Sequence, residues 1–259
     1  MSVFKQIASS ENVLYKSLHK LAGSHRFRKQ SNHVLLDGIH LLVAAREAGL
    51  KPDLLVITAR SRNHPEVAAQ LAHYQGDIVE LSDHLFLTLS STHPEVGLIS
   101  RIERPVIRSI TESFVLLLED IQDPGNLGNI LRTAAAAGVD TVYLSSGCAD
   151  AYSSRALRAG QGAHFFLSIQ EQQNLLKVGN AFNGKLYATS PINGISLFDT
   201  NFIAPVAFVF GNEGSGIRPS LMALAAKQIK IPMAGKMESL NVAASVAICL
   251  FECVRQLKN

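Results

Sequence analysis

The sequence predicts an α/β protein made of two α/β domains, and three observations carry that prediction. Short apolar runs alternate with helix-period segments through the first hundred residues. The alternation stops in a charged, proline-containing stretch at 101–112 and restarts beyond it with greater apolar density. The chain then closes on a strongly amphipathic helix. Strands alternating with helices imply crossover connections and a largely parallel sheet with helices on its faces.

Taken in order, the first domain (1–104) reads as strand 34–36, helix 39–48, strand 53–58, helix 65–73, strand 78–79, helix 83–89 and strand 96–99. Residues 101–112 (RIERPVIRSITE) lack helical periodicity and read as the linker. The second, larger domain (113–259) opens with FVLLL at 114–118, a run suited to a strand buried on both faces. Leu127, Ile130, Leu131, Ala134 and Ala135 then share one helical face. Strands follow at 141–144, 164–169, 186–189, 205–210 and 228–231. In the last helix Leu240, Ala243, Ala244, Ala247, Ile248, Phe251 and Val254 recur at three- and four-residue steps.

Composition excludes several classes. With 47% apolar and 17% charged residues over 259 positions, the chain has the material for packed cores and is neither disordered nor fibrous. Three cysteines are too few for a disulfide framework and fit a reducing, cytoplasmic compartment. No apolar run approaches the ~18 residues that span a bilayer, and the N-terminal MSVFKQIASSENVLYK lacks the apolar core of an export signal. No Cys/His spacing resembles a zinc site, so no metal is expected. The net charge of +3 argues for nothing by itself, but its distribution is informative. Lys16, Lys20, Arg26, Arg28 and Lys29 follow one another with no acid between them, a solvated face or a phosphate-contacting patch.

Three segments of the second domain carry residues that packing does not require. EDIQDPGNLGNILR (119–132) follows a buried strand and precedes a helix, the position where α/β sheets bind ligands. Asn126 reads as a helix N-cap or a ligand contact, and Arg132 as a snorkelling side chain or one awaiting an anion. FVFGNEGSGI (208–217) sets Gly211, Gly214 and Gly216 around Asn212 and Glu213. It has neither dinucleotide nor Walker spacing. IPMAGKMESLN (231–241) runs into the last helix, where Ser239 or Asn241 either caps it or binds a ligand.

In order, 123–138 (DPGNLGNILRTAAAAG), 209–217 (VFGNEGSGI) and 231–247 (IPMAGKMESLNVAASVA) resemble the three signature motifs of the SpoU, or TrmH, family of RNA 2′-O-ribose methyltransferases. RALRAGQGAHF (155–165) is similar to a family segment between the first two motifs. Residues 9–42 are similar to the family's N-terminal RNA-binding extension, with Asp37 where the family more often has Glu.

The resemblance implies a C-terminal α/β trefoil-knot methyltransferase domain behind a smaller N-terminal α/β substrate-binding domain. It implies S-adenosylmethionine as cofactor, held mostly by loop backbone around Thr189, around Gly211 and Asn212, and along 231–240 with Ile231, Met233 and Leu240. It gives Arg132 the central catalytic place, supported by Asn126, Glu213, Ser239 and Asn241, and it implies a homodimer. The partner is then structured RNA, ribosomal in preference to transfer RNA, held through Lys20, Arg26, Arg28 and Lys29 with Phe27 available for stacking. The alternatives are a tRNA ribose methyltransferase and a catalytically silent RNA-binding protein on the same fold.

Overall fold

The computed structural model describes residues 4–90, 93, 95–106, 112–190 and 192–257. The chain divides into two compact units, Met1–Pro105 with Tyr152–Phe165, and Val106–Ala151 with Phe166–Asn259.

The first unit contains β1 (Phe4–Ile7), α1 (Val13–Gly23), α2 (His25–Ser31), β2 (His33–Asp37), α3 (Ile39–Glu47), β3 (Leu54–Thr58), α4 (Pro65–Ala72), β4 (Asp77–Leu81), α5 (Asp83–Leu87) and β5 (Leu98–Glu103). The sheet order is β1-β4-β3-β5-β2. One face buries Leu18, Leu21 and Phe86 against Val56 and Val79, and the other buries Leu42 and Val67 against Leu55 and Ile57. The expected alternation is present, but the sheet is mixed: β5 runs antiparallel to both β3 and β2.

β5 also continues through Glu103, into residues that the charge pattern assigns to the linker. The alternation explains it. Ser100 and Ile102 are buried, while Arg101 on the other face forms a two-pronged ion pair with Asp53 at 2.7–3.1 Å. Residues 107–111 of the expected linker lie outside the described residues.

The second unit contains β6 (Phe114–Leu118), α6 (Pro124–Ala137) and β7 (Thr141–Leu144). Next comes α7 (Ser154–Gly160), which belongs to the first unit, and then β8 (Ser168–Gln170), α8 (Leu175–Ala181), β9 (Lys185–Thr189), β10 (Ile195–Ser196), β11 (Val206–Phe210), α9 (Pro219–Met222), β12 (Lys227–Lys230) and α10 (Val242–Leu257). Its sheet, β10-β12-β9-β11-β6-β7-β8, is parallel at every pairing. β6 and β11 are buried along their whole length, as their unbroken apolar runs require. α10 packs on α6, and Cys249 and Cys253 are core residues of that helix.

The domain division read from the sequence treats each domain as one stretch, whereas Tyr152–Phe165 joins the first unit. α7 packs on β2, and Arg158 Nη2 donates to the buried Asp37 carboxylate at 2.8 Å. Gly162, at φ +90°, lies so close to α3 that a Cβ would stand 2.9 Å from that of Ala44. Only β8 of the strand expected over 164–169 forms, because residues 163–165 make a 3-10 turn with His164 buried.

Candidate active site

The carboxyl ends of β12, β9, β11 and β6 lie side by side, with Ile229 opposite Thr189, Ala188 opposite Val209, and Phe210 opposite Leu118. Segments leaving this edge carry most of the polar residues that the sequence singles out. At β6 the chain turns through Asp120, held at φ +55°, and Asp123 caps α6 by accepting the Asn126 N–H at 2.8 Å, with Pro124 at the first helical position. Asp123, not Asn126, is therefore the cap. The Asp-Pro pair is the signal that would have found it.

Relieved of capping, the Asn126 side chain makes long-range contacts. Its Nδ2 donates to Glu213 Oε1 at 2.6 Å, and its Oδ1 accepts from Asn241 Nδ2 at 3.1 Å. Asn241 Nδ2 also lies 3.4 Å from Glu213 Oε1. An ionised carboxylate only accepts, so Glu213 fixes which end of each amide faces it. Asn241 Oδ1 is thereby turned to the Ala243 N–H at 2.9 Å, where it caps α10. One asparagine both starts the last helix and closes a cluster drawn from three segments distant in sequence.

The loop bearing Glu213 is tightly held. Asn212 Nδ2 donates to the Asp120 carbonyl at 2.8 Å, and its Oδ1 accepts the Gly214 and Ser215 N–H groups at 2.8 and 3.2 Å. A Cβ on Gly211 would stand 2.2 Å from the Gly216 carbonyl oxygen, so only glycine fits there. Beyond the loop, the buried Glu119 carboxylate accepts both the backbone N–H of Arg218, at 2.7 Å, and its Nε. Sequence reasoning missed this Glu119–Arg218 clamp, because a single acid at a strand end carries no pattern.

Arg132 is exposed on α6, and no hydrogen bond or ion pair among the described residues engages its guanidinium. It shares an i, i+3 row with exposed Asn129 and half-buried Asn126. Asn129, also exposed, was not singled out by the sequence. Ser239 is exposed and is not drawn into the Asn126–Glu213–Asn241 cluster.

The expected cofactor residues sort by what remains open. Thr189 Oγ1 donates to the Val209 carbonyl at 3.1 Å, and the Asn212 side chain is occupied within its own loop. What the edge offers a ligand is loop backbone together with the apolar side chains of 231–240, where Met233, Met237 and Leu240 are exposed and Ile231 is half-buried. Peptide groups for a polar amino-acid end and apolar cover for a purine suit S-adenosylmethionine.

In the first unit, Lys20, Arg26 and Lys29 are exposed on α1 and α2. Arg28 is not: it is buried, and its Nη1 donates to the Leu21 and Ala22 carbonyls at the end of α1. Counting it as a phosphate contact is corrected on that ground, since its charge neutralises the carbonyl end of a helix. Phe27 is packed against the core, with Lys20 Nζ 5.8 Å from its ring centroid.

Residues 113–251 match the SpoU rRNA methylase family, and residues 12–99 match the MRM3-like substrate binding domain. The chain is 31% identical over 250 residues to the 23S rRNA (guanosine(2553)-2′-O)-methyltransferase RlmP of Bacillus subtilis, covering 95% of this chain and 98% of that one. It is similar to a solved RNA 2′-O ribose methyltransferase at TM-score 0.82 and 29% identity, over 98% of this chain and 100% of the other. It is also similar to the AdoMet-bound rRNA methyltransferase of Sinorhizobium meliloti at TM-score 0.79 and 25% identity, over 98% of each. The motifs, the two matched domains and the near-full coverage agree, and the chain belongs to the SpoU rRNA methylase family of S-adenosylmethionine-dependent RNA 2′-O-ribose methyltransferases.

Proposed function

We propose that this protein methylates a ribose 2′-hydroxyl of ribosomal RNA, and that Arg132 with the Asn126–Glu213–Asn241 cluster carries the reaction. The observation that carries the reading is the cluster itself: three polar side chains from separate segments, bonded to one another at 2.6–3.4 Å, with Arg132 on the same helix as Asn126 and engaged by no hydrogen bond or ion pair among the described residues. Relatives named for 23S rRNA and a matched substrate-binding domain support ribosomal over transfer RNA.

S-adenosylmethionine supplies a methyl group already activated by its sulfonium, so position and a deprotonated hydroxyl suffice and no metal is assigned a role. A guanidinium stays protonated, and Arg132 acts as a clamp on the RNA phosphate and a stabiliser of the developing alkoxide. Glu213 Oε1 takes the Asn126 and Asn241 amides, leaving Oε2 as the acceptor for the hydroxyl proton. Asn126 keeps that carboxylate in place. Ser239 and the backbone of 211–216 and 231–240 hold the donor, with Thr189 at the edge. As charge is neutralised in the transfer, a dry pocket favours the step.

The finer architecture belongs to the same proposal. Placement of β12 outboard of β9, followed by a helix packed on α6, supports a knotted C-terminal segment. Exposed Phe198, Phe251 and Leu257 on and beside α10 support a homodimer through that helix. The bacterial 23S rRNA methyltransferases among its relatives support a cytoplasmic location. The test is methyl transfer from labelled donor to 23S rRNA and to bulk tRNA, with nuclease digestion to nucleosides. The expected product is a 2′-O-methylnucleoside from the rRNA. Label on a base, or on tRNA alone, contradicts the reading.

A further inference from the structure

We infer that the first unit holds a dedicated cavity for one unstacked nucleotide of the RNA, between the end of α1, the end of α5 and the start of α7. This inference rests on the proposed RNA substrate but concerns a site separate from the methyl-transfer cluster. The cavity is open to solvent, has a volume of about 260 Å³ and is lined by His19, Ala22, Gly23, Thr88, Ser90 and Ser154.

Its walls are fixed. Asp37, with its side chain 3% exposed, takes Arg158 Nη2 at 2.8 Å on one oxygen and the Ser90 hydroxyl on the other, which locks β2, the segment after α5 and α7 around one carboxylate. Ser90 and Ser154 on the cavity wall are held in place by this junction. Tyr15 hydrogen-bonds Thr88 at 2.7 Å and braces α1 against the same wall. Tyr152–Phe165, which belongs to the first unit, contributes Ser154 to this lining.

Two groups on the rim are open. Among the described residues neither the His19 imidazole nor the Ser154 hydroxyl has a hydrogen-bond partner, and His19 is exposed beside Lys16 and Lys20. An aromatic face, an open hydroxyl and flanking lysines around a pocket are what an unpaired base and its phosphate require, since single-stranded RNA is read by stacking and base-edge hydrogen bonds. A duplex cannot insert a base there. The site therefore selects a loop or bulge.

The test measures binding of 5′-labelled single-stranded 12-mer RNA and of a duplex of equal length to the full chain by fluorescence anisotropy. The variants are His19→Ala and Gly23→Leu. Gly23 lines the cavity and a Cβ there meets nothing within 4 Å, so a leucine adds bulk at the cavity wall without a clash. Both variants are expected to lose about tenfold in single-strand affinity with duplex affinity unchanged. S-adenosylmethionine binding reports an intact second unit. Unchanged single-strand affinity in either variant overturns the cavity, as does equal loss on duplex, or a wild-type protein that methylates rRNA without preferring single strands. Absence of methyl transfer with the single-strand effect intact rejects the enzymatic reading alone.

Discussion

The two regions that the sequence marks as functional spend their polar residues differently. In the second unit the Asn126, Glu213 and Asn241 side chains reach across 87 and 115 residues of chain to meet. In the basic segment of the first unit three charges have local contacts, Lys16 with Glu11, Lys20 over Phe27 and Arg28 on the carbonyls of α1, while Arg26 and Lys29 are exposed on α2. Long-range polar contacts cost chain entropy and desolvation, and secondary structure does not need them. A cluster built from them at the carboxyl edge of a parallel sheet is what we propose as the site. A run of like charges is not a site until its members are shown to face solvent.

Substitutions sharpen that contrast. The largest effect is expected from Arg132→Ala, which removes an exposed charge on α6 that no described residue engages. Transfer to rRNA falls by roughly a thousandfold or more while donor affinity by calorimetry stays unchanged. Next comes Asn241→Asp, which keeps an oxygen for the α10 cap but sets a second carboxylate against Glu213. Thermal stability should stay within about 1 kcal/mol of wild type while transfer drops by roughly a hundredfold. Equal losses of stability and transfer would make Asn241 only a cap.

Glu119→Gln tests the clamp behind the Glu213 loop. The neutral amide retains a hydrogen bond to Arg218 but loses the charge, and a destabilisation of about 1–3 kcal/mol in chemical denaturation is expected. The basic segment gives the smallest and most discriminating result. Arg26→Glu with Lys29→Glu should flatten the dependence of RNA affinity on salt by about two ions. Arg28→Ala should leave that slope intact and lower stability by about 1–3 kcal/mol, because it strips a donor from buried carbonyls. A slope change in Arg28→Ala would restore it as a phosphate contact.

Much of this was legible in the sequence, for identifiable reasons. Buried parallel strands announce themselves as unbroken apolar runs, so β6 and β11 were plain, and α10 followed from its periodicity. The site residues on α6, in the 211–216 loop and before α10 stood out as polar positions with no packing role. Other features are tertiary and leave no local mark. β5 passes through charged residues because Arg101 finds Asp53 across the sheet. Arg28 looks like its neighbours until α1 and α2 pack. α7 packs on β2 in the first unit, where Arg158 pairs with the buried Asp37, 121 residues away in the chain. The cap of α6 is legible in Asp123-Pro124, three residues before Asn126, which the sequence offers as a cap or a ligand contact.

The most direct test of the central claim is a mutant cycle on methyl transfer with Asn126→Ala, Glu213→Ala and the double variant, each with donor binding measured in parallel. Groups that work as one hydrogen-bonded unit fail together. The double variant should transfer methyl groups no more slowly than the worse of the two single variants. If the two losses multiply, Asn126 and Glu213 act independently and the cluster is not the unit of catalysis.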